Sequence, residues 1–224
     1  MRSFLVSVGP GPRSAIGQPH GEPLWFEWLA LAGIFAFAGW LLGVQGVWGL
    51  LLRSDPTGIT FVIIVVFLSA TLWSGARALE LSAQRRAAVT KSPGWAAEYW
   101  AALGAAPREE SAPLDLLLEQ THGPHSTAWW VNAIQLKLGL LGKVIGFSVL
   151  ALQIGQIQNF DASQSQELLK SLTAGLGIAL LTTMVGLVGN ILLGLQLTRL
   201  DRYADELVVV AQKHGLSIQP RAVA

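Results

Sequence analysis

A lysine stands among apolar and glycine residues in LGLLGKVIGF, residues 138–147, and its ammonium group is the first candidate for chemistry in this chain. An ionisable side chain inside a membrane helix costs about 3 kcal/mol to insert even on the gentler scales, so it needs either a use or a route to water. Lys143 admits both. If the helix enters the membrane near Leu138, Lys143 lies within about 8 Å of the interface at 1.5 Å per residue, and its stem can carry the charge toward water. If the span starts nearer Ile134, the same residue is close to the midplane, where its stem cannot carry the charge to water. Further along, LTAGLGIALLTTMVGLVGNILLGLQL sets small or polar residues four apart: Gly175, Ala179 and Thr183, then Thr182, Gly186, Asn190 and Gly194. Such spacing lets helix backbones approach closely, and hydroxyl or amide groups can hydrogen-bond across the contact. Thr183 and Asn190 are seven residues apart, so they fall within about 20° of one helix face. Their plainer reading is that Thr183 bonds its own preceding turn and Asn190 a neighbouring helix.

Other candidates are weaker. Of the four histidines, His20, His122, His125 and His214, two stand three apart in HGPH. A metal site needs further ligands, and none lies nearby in the sequence, so this stretch reads as a solvated turn and no metal or cofactor is expected. There is no phosphate-binding G-x-x-x-x-G-K-[ST], no G-x-S-x-G nucleophile elbow and no pair of intramembrane carboxylates. No enzyme is expected. With no cysteine in the chain, disulfides, thiolate metal sites and cysteine nucleophiles are excluded. Asp201 and Asp205 sit four apart in RLDRYADEL, with Arg202 and Glu206 paired at the same spacing, as on a solvated helix face or one that meets an effector.

These residues must be positioned by membrane helices. The 224 residues are 52% hydrophobic and 13% charged, with mean hydropathy +0.49, too apolar for an ordinary soluble domain. The net charge of +1 gives no hint of nucleic-acid binding. Four stretches are long enough to cross a hydrocarbon core: about Leu24 to Leu52, Gly58 to Ala76, Leu138 to Ile157, and Leu172 to Leu197. The first is read as a retained span, because it is far longer than the apolar region of a signal peptide. Arg77, Arg85, Arg86, Lys91 and Arg108 lie in the central loop and Arg199, Arg202, Lys213 and Arg221 in the tail, which places both, and the N-terminus, on the cytoplasmic side. Trp25, Trp28, Trp73, Trp129 and Trp130 fall at span ends, as an interfacial belt would; Trp40 and Trp48 do not. The predicted organisation is a glycine- and proline-rich cytoplasmic N-terminus over 1–23, a transmembrane hairpin over 24–80, and a cytoplasmic loop of two or three short helices over 81–133. A second hairpin follows over 134–198, then a C-terminal helix and tail over 199–224.

At the second hairpin the chain resembles the MotA/TolQ/ExbB family of ion-channel and stator subunits. LGLLGKVIGF is similar to that family's L-G-L-x-G-T-x-x-G helix and GIALLTTMVGLVGNI to its A-L-x-x-T-x-x-G-L-x-x-A helix, in the same order and separated by a short extracytoplasmic turn. The resemblance extends over residues 134–200. Before the loop it rests on span count, two spans being the MotA-like layout. It implies an all-α protein of four transmembrane helices with MotA-like topology in a bacterial inner membrane. It further implies a homopentamer around two copies of a single-span ExbD/TolR/MotB-like subunit, whose intramembrane aspartate carries the ion. In that arrangement Lys143, Thr182, Thr183, Gly186 and Asn190 border the partner helices, and an effector on either side of the membrane takes up the force. Thr183 matches the threonine of the family's last helix, whereas the threonine of the preceding helix falls on Lys143. Five lysines cannot all be neutralised by two aspartates, and an ammonium beside a carboxylate in low dielectric holds it ionised. Two expectations therefore stand together: an ion-driven motor with an altered path, or a non-conducting scaffold of the same architecture in which Lys143 clamps the partner's carboxylate.

Overall fold

The computed structural model describes residues 24–55, 57–105, 111–155 and 162–218. All regular structure among them is helical: α1 (Leu24–Val44), α2 (Val47–Ser54), α3 (Ile59–Thr90), α4 (Trp95–Ala105), α5 (Ser111–Gly155) and α6 (Ala162–Ile218). Four of these, α1, α3, α5 and α6, hold a stretch long and apolar enough to cross a membrane, and the protein is a membrane protein.

The expected first span breaks where only glycine is comfortable. Gly46 adopts φ 74°, ends α1 near Val44 and starts the separate helix α2. Trp48 then lies back over α1, its indole N–H donating to the Gly39 carbonyl at 2.9 Å. The expected span to Leu52 is thus shorter, and Trp48 belongs to the segment beyond it. Asp55 follows and caps α3: its carboxylate accepts the backbone N–H of Thr57 at 3.0 Å and of Thr60 at 2.6 Å, together with the Thr57 hydroxyl. Burial pushes the Asp55 carboxyl up, but the hydrogen bonds from Thr57 and Thr60 outweigh it and hold it below the ordinary 3.8.

The loop expected over 81–133 is mostly a continuation of membrane helices. α3 runs on to Thr90, α5 begins at Ser111, and only α4 is a separate short helix. At 1.5 Å per residue α5 and α6 are about 68 Å and about 86 Å long, more than twice a hydrocarbon core of about 30 Å. The apolar part of α5 is residues 131–155. Residues 111–130, α3 from Arg77 and α6 from Arg199 carry more charged and polar residues and extend past the apolar parts of their helices. There the four helices α3, α4, α5 and α6 enclose the main core, with Leu81, Leu117, Leu200 and Leu207 almost fully buried. Trp100 of α4 fastens to it by donating its indole N–H to the Ala211 carbonyl at 2.8 Å.

Candidate functional site

α5 and α6 run antiparallel in the most extensive interface of the molecule. Within the membrane they meet along small residues. Gly139, Gly142 and Gly146 of α5 face Gly175, Ala179, Thr182 and Gly186 of α6. A Cβ on Gly142 would stand 2.6 Å from the Thr182 hydroxyl oxygen, and one on Gly186 would stand 2.7 Å from the Gln135 carbonyl oxygen. The contact is therefore backbone on backbone, which dispersion favours only when side chains are absent. The spacing-of-four pattern on α6 appears here as one wall of that seam. Its counterpart on α5, three glycines three and four residues apart, completes it.

The five expected site residues divide between the seam and its edge. Thr182 and Gly186 are buried in the seam, and the Thr182 hydroxyl donates to the Ile178 carbonyl at 2.9 Å. Thr183 is half-buried and bonds its own preceding turn, the Ala179 carbonyl, at 2.7 Å, with the Gly139 carbonyl of α5 at 3.3 Å. Asn190 donates to the Asn132 carbonyl of α5 at 2.9 Å. Within one chain, both take the plainer of their two roles. Lys143 is exposed, and no carboxylate pairs with it among the described residues.

Direction decides what the edge residues have in common. Lys143 lies about 40° round α5 from Gly139 and about 100° from Gly142, while Thr183 lies about 40° round α6 from Ala179 and about 100° from Thr182, in the same sense. In an antiparallel pair, rotations of the same sense reach the same flank. α3 occupies the other flank. It meets α6 through Ile63 at Gly189 and through Thr71, whose hydroxyl lies 3.3 Å from the Gln196 amide nitrogen. Against α5 it leaves an apolar crevice of about 540 Å³, lined by Val65, Ser69, Trp73, Pro124, Thr127 and Val131. Lys143, Thr183 and Asn190 thus share the flank away from α3, set among the exposed apolar side chains Leu140, Phe147, Leu176 and Leu187.

A second polar assembly lies beyond the membrane, where the sequence suggested a turn and a solvated face. HGPH is not a turn: Gly123 and Pro124 lie inside α5. Proline has no N–H for the Gln120 carbonyl four residues back. Arg77 of α3 supplies the donor, its Nη2 reaching the Gln120 carbonyl at 2.6 Å and the Thr121 carbonyl at 3.0 Å. Its Nη1 pairs with Glu80 at 2.6 Å, and the guanidinium lies 5.1 Å from the Trp95 ring centre. One turn on, His125 donates from Nδ1 to Asp201 at 2.6 Å, and Trp129 donates to the other oxygen of the same carboxylate at 2.8 Å. His122 Nε2 meets Asp205 at 3.1 Å. Glu206 pairs with Arg85 of α3 at 3.4 Å, not with Arg202. Asp201 is thus drawn partly into the molecule, while Asp205 remains exposed at the rim, as a solvated face would have it. His125 is buried, which pushes its imidazole below the usual 6.5; the hydrogen bond and charge of Asp201 oppose that, and Arg77 and His122 add to it. Among the described residues no three His, Asp or Glu side chains are arranged to hold a metal ion. A signal for the assembly is present in the sequence, a histidine pair at i,i+3 and an aspartate pair at i,i+4, but only the antiparallel register joins them.

No family model, curated protein or solved structure matches this chain.

Proposed function

We propose that the chain is the outer subunit of a pentameric inner-membrane ion-driven motor, five copies surrounding two single-span partner helices, with its long polar helix ends in the cytoplasm. The observation that carries this reading is the common flank of Lys143, Thr183 and Asn190 on a close-packed hairpin, facing away from α3. An exposed membrane flank with one cation, one half-buried hydroxyl and one amide suits a polar partner better than lipid, because each group gains from a hydrogen-bonding or anionic neighbour in low dielectric. A helix bearing a carboxylate at the depth of Lys143 supplies that neighbour. Proton or sodium flow past Thr183 then alternates with ion pairing to Lys143, and successive subunits exchange the carboxylate as the ring turns.

The second reading is a non-conducting scaffold of the same architecture. Lys143 favours it directly: an ammonium that keeps the carboxylate ionised suppresses proton binding to it. Proton and sodium flux into proteoliposomes holding the chain with its partner separates the two. A motor conducts as wild type and loses flux in Thr183→Val, whereas a clamp is silent as wild type and leaks in Lys143→Thr. Absence of flux in all three, with the complex assembled, contradicts a conducting pore in either form.

A further inference from the structure

The assembly at the far end of the α5/α6 hairpin has a build that the flank at Lys143 does not explain. α5 is continuous but lacks one rung of its hydrogen-bond ladder at Pro124, and side chains brace it there: Arg77 across the open Gln120 carbonyl, and His125 and His122 onto Asp201 and Asp205 of α6. We infer that this is an acid-sensitive joint, in which protonation of His125 loosens the brace and lets residues 111–123 of α5 swing about Pro124. The inference stands independently of the reading of Lys143.

The geometry supplies the reason. A carboxylate only accepts, so the bond between His125 and Asp201 uses the Nδ1–H and leaves Nε2 as a bare lone pair in the neutral ring. Nε2 is buried and has no hydrogen-bond partner; its surroundings are the edge-on ring of Trp73, 6.3 Å between centres, and the ring of His122 at 5.9 Å. A lone pair tolerates that site, but a second N–H with a positive charge finds no acceptor there. The charged groups around the ring are Asp201 and Asp205 from α6, Arg77 with Glu80 from α3, and His122 on its own helix. α4 contributes the Trp95 ring on Arg77 and the Glu98 carboxylate, which accepts from the Gln120 amide at 3.2 Å. Asp201 lies on the Nδ1 side of the ring, so its carboxylate offers nothing to a proton on Nε2. The extra proton therefore raises positive charge beside Arg77 at the one place where α5 lacks a backbone hydrogen bond. A helix with an intact ladder would hold, but one that lacks the rung at Pro124 bends more readily.

The direction in pH follows from the lowered value of His125. The unfolded or loosened state binds the proton more readily, so the joint is tight at and above the ordinary histidine value of 6.5 and weakens as pH falls below it toward the lower folded value. The absence of native cysteine makes the test clean. Spin labels placed by Ser111→Cys on α5 and Leu216→Cys on α6, both exposed, report the separation of the two ends in the full-length protein. Between pH 7.5 and pH 5.5 the distance distribution should lengthen by about one helical turn, about 5 Å. His125→Gln should abolish the response. Pro124→Ala restores the missing N–H and leaves His125 in place, so it should shrink the response without depending on the fold of the histidine variant. A distance that does not change with pH in the wild type overturns the inference, as does an undiminished response in either variant.

Discussion

The α5/α6 hairpin is built by two different chemistries along its length. Its membrane half is joined by the absence of side chains, glycine against glycine and threonine, with hydroxyls turned back on their own helix. Its other half is joined by charged and aromatic side chains that reach across: Asp201 to His125 and Trp129, Asp205 to His122, Glu206 to Arg85. The difference follows the solvent. In hydrocarbon, apolar side chains gain nothing by leaving lipid for each other, so close backbone contact is what remains to favour association. Beyond the hydrocarbon, water drives Leu81, Leu117 and Leu207 into a core, and polar groups trapped beside that core must be paired. The outward apolar surface of the membrane half is left for lipid or partners, whereas the other half also builds a buried core of its own.

That contrast can be broken at either end, and the largest effect is expected at Arg77. Arg77→Ala leaves the Gln120 carbonyl open and Glu80 unpaired, and should destabilise the bundle by about 3 kcal/mol. Thermal unfolding in detergent should show a clearly smaller cost for Arg77→Ala in a Pro124→Ala background, because the helix then satisfies its own carbonyl. In the membrane half, Gly142→Val drives a side chain into Thr182 and should cost about 2 kcal/mol, read by the same melting curves. Thr182→Ala should recover part of it. Asp55→Ala removes the cap of α3 and should cost about 1 kcal/mol at neutral pH. Because the folded Asp55 sits below 3.8, its contribution is present above that pH and fades as pH falls through the lower value, so wild type and variant should converge in acid. Smallest is Asn190→Ala, about 0.6 kcal/mol for a single hydrogen bond between membrane helices. A stability loss several times larger would mean that Asn190 does more within the chain than bond to Asn132.

The two halves also differ in how far the sequence discloses them. The four apolar spans and the small-residue pattern on α6 are local and periodic, so composition and spacing suffice to read them. The boundaries are less legible. A span is marked by where apolar residues stop, but α3, α5 and α6 continue as helices after their solvent changes, since the backbone pattern is indifferent to which face is wet. Pro124 misleads for a related reason: Gly-Pro signals a turn unless a distant donor, here Arg77, takes the orphaned carbonyl. Asp201 reads as solvated because its partner His125 stands 76 residues away, a separation that no helical period encodes, while Asp205, though it meets His122, is exposed as expected. At Gly46 the break is only faintly marked, for Gln45 is the one polar residue beside a left-handed glycine in an otherwise apolar run.

The central claim is that the flank of Lys143, Thr183 and Asn190 faces protein. A photo-crosslinking phenylalanine analogue at Phe147, on that flank, compared in native membranes with one at Leu72 of α3, tests it most directly. The account predicts that position 147 yields an adduct with a small single-span protein carrying an intramembrane carboxylate, and that Lys143→Glu, which repels that carboxylate, diminishes it. Adducts with lipid alone at position 147, in membranes where the chain is assembled, would contradict it.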